Sequence, residues 1–189
     1  IEEGLDVTKL MADRIRKLVL DILYYSKDRD LEIEEVEVWR FAKDVALQME
    51  RRIKAANIEF ISDFPPDSGN FTIDPEIIRT ALTNILENAM EACIEDARDI
   101  PHRIRFTASA DAANIYFEIS DNGPGMDKEM ASKIFQLFSS SKGKRGTGIG
   151  LFVTRKVILK HGGTITVDSS PNQGASFRIT LPRKPHVVS

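Results

Sequence analysis

The chain has 189 residues, 42% of them hydrophobic and 29% charged, which suits one domain with a packed core and excludes a wholly disordered chain. No segment approaches the roughly 20 apolar residues that a membrane-spanning helix needs, so we expect a soluble chain without membrane contact. Its 26 basic and 29 acidic residues give a net charge of −3, which argues against a nucleic-acid binder driven by bulk charge.

The N-terminal stretch, residues 1 to about 27, predicts a single helix. Apolar or small residues recur at alternating spacings of four and three, at Ile1, Leu5, Thr8, Ala12, Ile15, Val19 and Ile22. This coiled-coil-like seam favours a partner-facing helix over one packed in a globular core. Because the chain starts with Ile and has no leader, we interpret it as part of a longer protein.

The next part of the chain predicts a helix, a strand and a second helix. Apolar residues recur with helical periodicity over about 37–56, and they alternate with polar ones over 58–64. Residues 65–70 have the composition of a loop. Asp74 before Pro75 is a strong helix start, and that helix should continue to about residue 96.

The remaining part predicts two pairs of strands and two helices. The strands cover 103–109, 114–120, 164–167 and 176–181, and the helices cover 127–136 and 149–160. Paired strands favour an antiparallel or mixed sheet over a βαβ array. We therefore predict an α/β (α+β) two-layer sandwich: a mixed, largely antiparallel sheet with helices on one face, plus the N-terminal helix.

Polar residues gather on one side of the helix that starts at Asp74. Asn84, Asn88 and Glu91 are spaced i, i+4 and i+7. Asparagine is a poor helix former, and a solvated helix face usually carries Glu and Lys instead. Amide oxygens are neutral hard ligands suited to Mg²⁺. A metal site and a plain polar face both remain open for this pattern.

The strand 114–120 runs into Asp121-Asn-Gly123-Pro-Gly125-Met. A hairpin turn is the simplest interpretation. The second glycine, however, suits a backbone that a flat ligand approaches closely. A partly desolvated carboxylate only accepts hydrogen bonds, so Asp121 would select a base with an exocyclic amine, such as adenine, over guanine with its carbonyl.

A cationic segment follows two phenylalanines, Phe135 and Phe138. Residues 139–145 contain three serines and three cations, and 146–151 read Gly-Thr-Gly-Ile-Gly-Leu. This composition is ordered more readily by an anion than by a core. The glycines lead into a helix whose N-terminal amides suit phosphate. The spacing matches neither a Walker loop nor a dinucleotide-binding fingerprint.

Taken together, these blocks resemble the Bergerat-type (GHKL) ATP-binding catalytic domain of sensor histidine kinases. Residues 84–92, Asn-Ile-Leu-Glu-Asn-Ala-Met-Glu-Ala, are similar to the N box. The segments 121–126, 135–138 and 146–151 are similar to the first glycine box, the F box and the second glycine box. The resemblance covers about 32–183, residues 1–28 resemble the second helix of the dimerisation and phosphotransfer hairpin, and 184–189 are a tail.

The resemblance implies a binding site for ATP and Mg²⁺. Asp121 would accept from the adenine amino group, Gly123 and Gly125 would line the base, and Asn88 with Asn84 would hold Mg²⁺ on the triphosphate. A short lid at about 139–147 would cover the phosphates. The residues implied to contact them are Lys142, Gly146, Thr147, Gly148, Gly150 and Leu151.

Two departures from the family pattern bear on catalysis. Asn84 stands where ATP-hydrolysing relatives have a Glu, and an amide is not a useful proton acceptor at neutral pH. This favours phosphoryl transfer to a side chain over attack by water. Glu87 is a possible proton acceptor or, equally, a solvated helix acid. Glu91 replaces a Lys of many members, which leaves less positive charge near the phosphates.

The implied function is that of the catalytic domain of a two-component sensor histidine kinase. It would transfer the γ-phosphoryl group of ATP, with Asn84, Glu87 and Lys142 as catalytic candidates, to a histidine and thence to the receiver domain of a response regulator. The intact protein would be a homodimer through its hairpin helices. One cysteine, Cys93, cannot form an internal disulfide, which suits the cytoplasm, with any membrane anchor upstream.

None of the three histidines fits the acceptor. His102 is predicted as a solvated loop residue, His161 as a helix C-terminal contact, and His186 lies in the tail. The acceptor is expected upstream of residue 1, so the chain should bind ATP and Mg²⁺ without phosphorylating itself. Two alternatives remain: a nucleotide-sensing or anti-sigma-type binding module of the same fold, and an ATPase of the topoisomerase or chaperone type, against which Asn84 argues.

Overall fold

A computed structural model describes residues 30–137, 139 and 148–184. The predicted N-terminal helix, Phe138, most of the lid and the end of the tail lie outside the described residues. Among the helices that are described, none combines the length and apolar content needed to cross a bilayer.

The described ranges contain seven strands, four helices and one turn of 3-10 helix at Pro66–Ser68. The strands are β1 (Glu34–Glu37), β2 (Glu59–Asp63), β3 (Asn70–Ile73), β4 (Arg103–Ala110), β5 (Asn114–Asp121), β6 (Thr164–Ser169) and β7 (Ala175–Pro182). The helices are α1 (Val38–Ala55), α2 (Pro75–Glu95), α3 (Lys128–Lys133) and α4 (Gly150–Lys160).

The main sheet has five strands in the order β2-β4-β5-β7-β6. Strand β2 runs parallel to β4, and the other neighbours are antiparallel. Helices α1, α2 and α4 pack on the sheet, and α2 also packs against both α1 and α4. The predicted fold class, a mixed and largely antiparallel sheet with helices in a second layer, is confirmed.

The core lies between the sheet and the helices. Alternate residues of the central strands are buried, as the predicted hairpin pattern requires: Ile104, Phe106, Ile115, Phe117 and Ile119 are all at most 1% exposed. The facing stripe of α2 includes Ile78, Leu82 and Leu86, each fully buried. Each such side chain contributes roughly 1.5–3 kcal/mol of hydrophobic stabilisation. The opposite side of α2 is thereby turned away from the sheet, where it is available to a ligand.

A small second sheet was not predicted. Strands β1 and β3 pair antiparallel, with Val36 opposite Phe71. The loop prediction for 65–70 is therefore wrong at its end, because Asn70 begins β3. These strands have four residues each, too short to give an alternation signal, and their partners lie more than 30 residues apart in the chain.

Helix α2 starts where Asp74 and Pro75 predicted. The amide of Ile77 donates to Asp74 Oδ1 at 3.2 Å, which is the expected N-cap bond. The other carboxylate oxygen accepts from the amide of Glu32 at 3.0 Å. The cap residue thus also holds the segment that precedes β1.

His161 joins the end of α4 to the start of α2. Its ring is 1% exposed, Nδ1 lies 2.8 Å from the carbonyl of Val157, and Nε2 lies 3.1 Å from the amide of Asp74. The neutral ring that donates from Nδ1 and accepts at Nε2 satisfies both contacts. The predicted helix-end position of His161 is confirmed. Its contact with the amide of Asp74 was not predicted.

We expect this histidine to make stability depend on pH. Burial lowers the pKa of His161 below its usual value, so the unfolded chain takes up a proton first as the pH falls. The stabilisation is complete above about pH 6.5 and is lost as the pH drops toward the folded-state value. His161→Leu should lose about 1–3 kcal/mol at pH 8, because the Asp74 amide is left unpaired.

Urea unfolding of the chain and of His161→Leu at pH 8 and pH 5.5 measures both effects. The variant should show a smaller loss of stability between these two pH values than the parent chain. An equal loss in both proteins would show that other groups cause the pH dependence.

Candidate functional site

Asn84 contacts the first two turns of α4. Its Nδ2 donates to Thr154 Oγ1 at 3.0 Å, and Thr154 is 2% exposed. A Cβ on residue 150 would lie only 2.6 Å from Asn84 Oδ1. The start of α4 can approach Asn84 this closely because residue 150 is a glycine. The Asn84 amide therefore fastens α2 to the N-terminus of α4.

Asn88 lies one turn further along α2 and differs from Asn84. It is half-buried, and its side chain makes no hydrogen bond with any residue that the structure describes. Because the Asn88 amide is not engaged by these residues, its oxygen is available to a ligand. The two asparagines therefore have different surroundings, which their spacing alone did not reveal.

Glu87 is bound to the neighbouring helix. Its Oε1 accepts from Arg52 of α1 at 2.7 Å, and its side chain is 23% exposed. This pair holds α1 to α2 and engages the carboxylate that was considered as a proton acceptor. Glu87 is thus neither a fully solvated acid nor an unengaged base.

Asp121 ends β5 with its carboxylate turned toward the helix layer. Its Oδ1 accepts from the amide of Gly123 at 2.8 Å. Burial raises the pKa of Asp121, and the backbone amides of Gly123 and Ala175 act against this rise. A Cβ on Gly123 would come 2.9 Å from Asp121 Oδ1 and 3.5 Å from the Cβ of Ala92, so the loop also lies against α2.

The turn between β6 and β7 supports the first glycine box. Gly125 has φ +66°, and a Cβ there would lie 2.0 Å from the carbonyl oxygen of Ser170. Ser169 Oγ accepts from the amide of Met126 at 2.9 Å and donates to the carbonyl of Gly174 at 2.7 Å. The need for glycine at 125 therefore comes from this close backbone contact, whether or not the residue also lines a base.

The second glycine box is described only in part. Gly148 has φ +64°, Gly150 begins α4, and Leu151 is half-buried in its first turn. Lys142, Gly146 and Thr147 lie outside the described residues. In the F box, Phe135 packs edge-on against Phe177 with ring centroids 6.3 Å apart, as expected of an anchor for the segment that follows.

A groove with a cavity volume of about 320 Å³ runs along the outer side of α2 between α1 and α4. Its lining includes Asn84, Glu87 and Gly150. Asp121 and Gly123 do not line it. The groove therefore reaches the Asn84–Gly150 end of the candidate site and not the end where Asp121 lies.

The prediction that His102 is solvated is wrong. Its side chain is 14% exposed, and Nε2 lies 4.0 Å from Asp96 Oδ2. Residue 102 continues the inward-facing series of β4, which begins one residue later. A loop composition around Pro101 concealed this alternation.

Sequence reasoning missed three contributors to the site. Thr154 was detectable as a hydroxyl on the otherwise apolar inner side of α4. Ser169 and Arg98 gave no pattern, because the bonds through which they hold the loop after β5 go to backbone groups distant in the chain. The structure thus brings together α2, the loop that follows β5, the β6–β7 turn and the start of α4.

Comparison with known proteins agrees with this arrangement. Residues 73–185, more than half of the chain, match the family described as histidine kinase-, DNA gyrase B- and HSP90-like ATPase. The adaptive-response sensory kinase SasA of Crocosphaera subtropica is 32% identical over 178 residues, which cover 89% of this chain and 45% of that protein.

Two solved structures share the fold. Full-length ShkA in complex with AMPPNP matches with a TM-score of 0.76 and 25% identity, over 90% of this chain and 36% of that one. Histidine kinase ThkA in complex with response regulator protein TrrA matches with a TM-score of 0.77 and 27% identity, over 94% of this chain and 49% of that one. The chain spans less than half the length of each of these proteins, and it belongs to the family of histidine kinase-, DNA gyrase B- and HSP90-like ATPases.

Proposed function

We propose that the chain is the ATP-binding catalytic part of a two-component sensor histidine kinase. The observation that carries this proposal is the order of groups along α2. Ala92 lies beside Gly123 near Asp121, Asn88 follows one turn away, and Asn84 meets Gly150 another turn away. Eight residues of helix span about 12 Å, which suits a nucleotide laid from its base to its phosphates.

ATP fits the two ends of this site. The Asp121 carboxylate has one oxygen on the Gly123 amide and can accept from an exocyclic amine with the other. The backbone at the start of α4 and its dipole favour phosphate at the opposite end. Lys142 and the rest of the lid, most of which lies outside the described residues, are proposed to neutralise the charge of the phosphates.

The amide oxygen of Asn88 is a suitable ligand for Mg²⁺. Among the described residues, no cluster of His, Cys, Asp and Glu could hold a metal ion by itself. Mg²⁺ is ordinarily bound by few protein groups together with substrate phosphates and waters. Asn88 would supply an amide oxygen, and Asn84 would position α4 beside it. When bound, the ion neutralises charge on the phosphates.

Phosphoryl transfer to a histidine is favoured over hydrolysis. Asn84 provides an amide at the position of the hydrolytic carboxylate, and Glu87 is engaged by Arg52. His161 is 1% exposed and the side chain of His102 is 14% exposed, so both are shielded from a phosphoryl donor. His186 lies outside the described residues. On the family resemblance, the acceptor is proposed to lie in a dimerisation and phosphotransfer hairpin.

Two solved relatives support a proposal about the partners of the whole protein. ThkA was solved with the response regulator protein TrrA, and ShkA with AMPPNP. We propose a receiver domain as the final phosphoryl acceptor and a homodimer through hairpin helices, with residues 1–28 as one such helix and 32–183 as the catalytic domain. A cytoplasmic location is proposed with them.

A transfer experiment tests this function. The chain is incubated with Mg²⁺ and γ-labelled ATP, alone and with a histidine-bearing hairpin domain supplied as a separate polypeptide. Base-stable label should appear on the hairpin only. Label on the chain alone would refute the assignment of the acceptor. Tight ATP binding without transfer would favour a nucleotide-sensing module, and rapid release of phosphate would favour an ATPase.

A further inference from the structure

Arg98 lies in the connection between α2 and β4 and contacts three separate segments. Its Nε donates to both carboxylate oxygens of Asp96, at 3.0 and 2.9 Å. Its two terminal nitrogens reach carbonyl oxygens: Asn122 at 2.9 Å, Gly123 at 2.5 Å and Asn172 at 2.8 Å. One guanidinium therefore joins the end of α2, the first glycine box and the β6–β7 turn.

Asp96 holds this guanidinium in place. The Asp96 side chain is 3% exposed, and that of Arg98 is 28% exposed. The amide of Arg98 also donates to Asp96 Oδ1 at 3.0 Å. A carboxylate this enclosed, bound through several hydrogen bonds, fixes the plane of the guanidinium and with it the direction of the remaining donors.

The carbonyls that Arg98 binds belong to the loop that follows Asp121, the residue proposed to recognise the base. Gly123 donates its amide to Asp121 Oδ1 at 2.8 Å and presents its carbonyl to Arg98. The loop has no sheet partner for these carbonyls, because β5 ends at Asp121. Arg98 thus fixes the residue that orients the Asp121 carboxylate.

The geometry points to Arg98 as a positioning residue for base recognition: it holds the first glycine box so that the second oxygen of Asp121 meets the exocyclic amine of the base. This inference rests on the proposed function. Arginine suits the task because its planar fork carries five donors, whereas lysine has one donor atom and could serve only part of this set.

The test compares two nucleotides that differ in the group Asp121 would read. ATP has the 6-amino group, and purine riboside triphosphate lacks it. Calorimetry with Mg²⁺ gives the dissociation constant of each for the full chain, for Arg98→Met and for Arg98→Lys. Arg105→Met is the matched control, since Arg105 is exposed on β4.

We expect the parent chain and Arg105→Met to prefer ATP by about tenfold or more, the value of one hydrogen bond to a charged group. In Arg98→Met the preference should fall to about twofold or less, mainly through weaker ATP binding. Arg98→Lys should lie between. If Arg98→Met does not fold, the Arg98→Lys ratio decides the question.

A preference for ATP that stays at the parent value in a folded Arg98 variant would overturn the inference. So would equal weakening of both nucleotides, because a purely structural role lowers the two affinities together. If the parent chain itself bound neither nucleotide, the proposed function would fail independently of Arg98, so the two failures are distinguishable.

Discussion

Asp121→Asn should lower the affinity of the chain for ATP by about 100-fold or more. The carboxylate of Asp121 has two acceptor oxygens, one already bound to the Gly123 amide at 2.8 Å. An asparagine has only one acceptor oxygen. Its amino group would face either the Gly123 amide or the base amine, and two donors would then meet in a half-buried site.

Calorimetric titration with ATP and Mg²⁺ measures this loss. Asp168→Asn is a suitable control, because Asp168 is an exposed carboxylate on β6 and its loss should leave affinity unchanged. The variant should remain folded, since the substitution keeps the size of the side chain. A dissociation constant within threefold of the parent value would show that Asp121 does not read the base.

The same carboxylate should make ATP binding depend on pH. Burial raises the pKa of Asp121 above its ordinary value, and the protonated form loses an acceptor. ATP affinity should therefore begin to fall at a higher pH than an exposed aspartate would give, as the pH decreases from 7. In Asp121→Asn this part of the pH dependence should be absent.

The fold was predictable from the sequence where the periodic pattern of apolar residues extends over a long, continuous stretch of the chain. Helix α2 has a clear start at Asp74 and Pro75 and a continuous buried stripe, and the hairpin of β4 and β5 has strict alternation. The two-stranded sheet of β1 and β3 was missed because each strand has only four residues and its partner is remote in sequence. Such pairing is decided by tertiary contacts, which a local pattern does not record.

The candidate site was likewise predictable from the sequence only in part. Side chains in recognisable blocks, such as Asn88 and Asp121, could be proposed from the sequence. Residues that act through backbone groups were not: Ser169 and Arg98 bind carbonyls and amides, which leave no trace in residue type. The distinct surroundings of Asn84 and Asn88 also depend on α4, whose Gly150 and Thr154 approach only one of them.

Asn88→Ala should reduce transfer of the γ-phosphoryl group to a hairpin histidine by about 100- to 1,000-fold, the usual cost of removing one group that stabilises developing charge. Its side chain makes no hydrogen bond within the described part of the chain. The stability of the fold should therefore change little. A higher Mg²⁺ concentration should be needed for half-maximal transfer, because one metal ligand is missing.

Asn84→Ala provides the contrast. It removes the bond to Thr154 Oγ1, which is buried, so it should lower the free energy of unfolding by about 1–3 kcal/mol. Its half-maximal Mg²⁺ concentration should move less than that of Asn88→Ala. Thr80→Ala, on the exposed face of the same helix, controls for changes in α2. Equal Mg²⁺ dependence of the two asparagine variants would refute the division of roles, because both amides would then act on the metal alike.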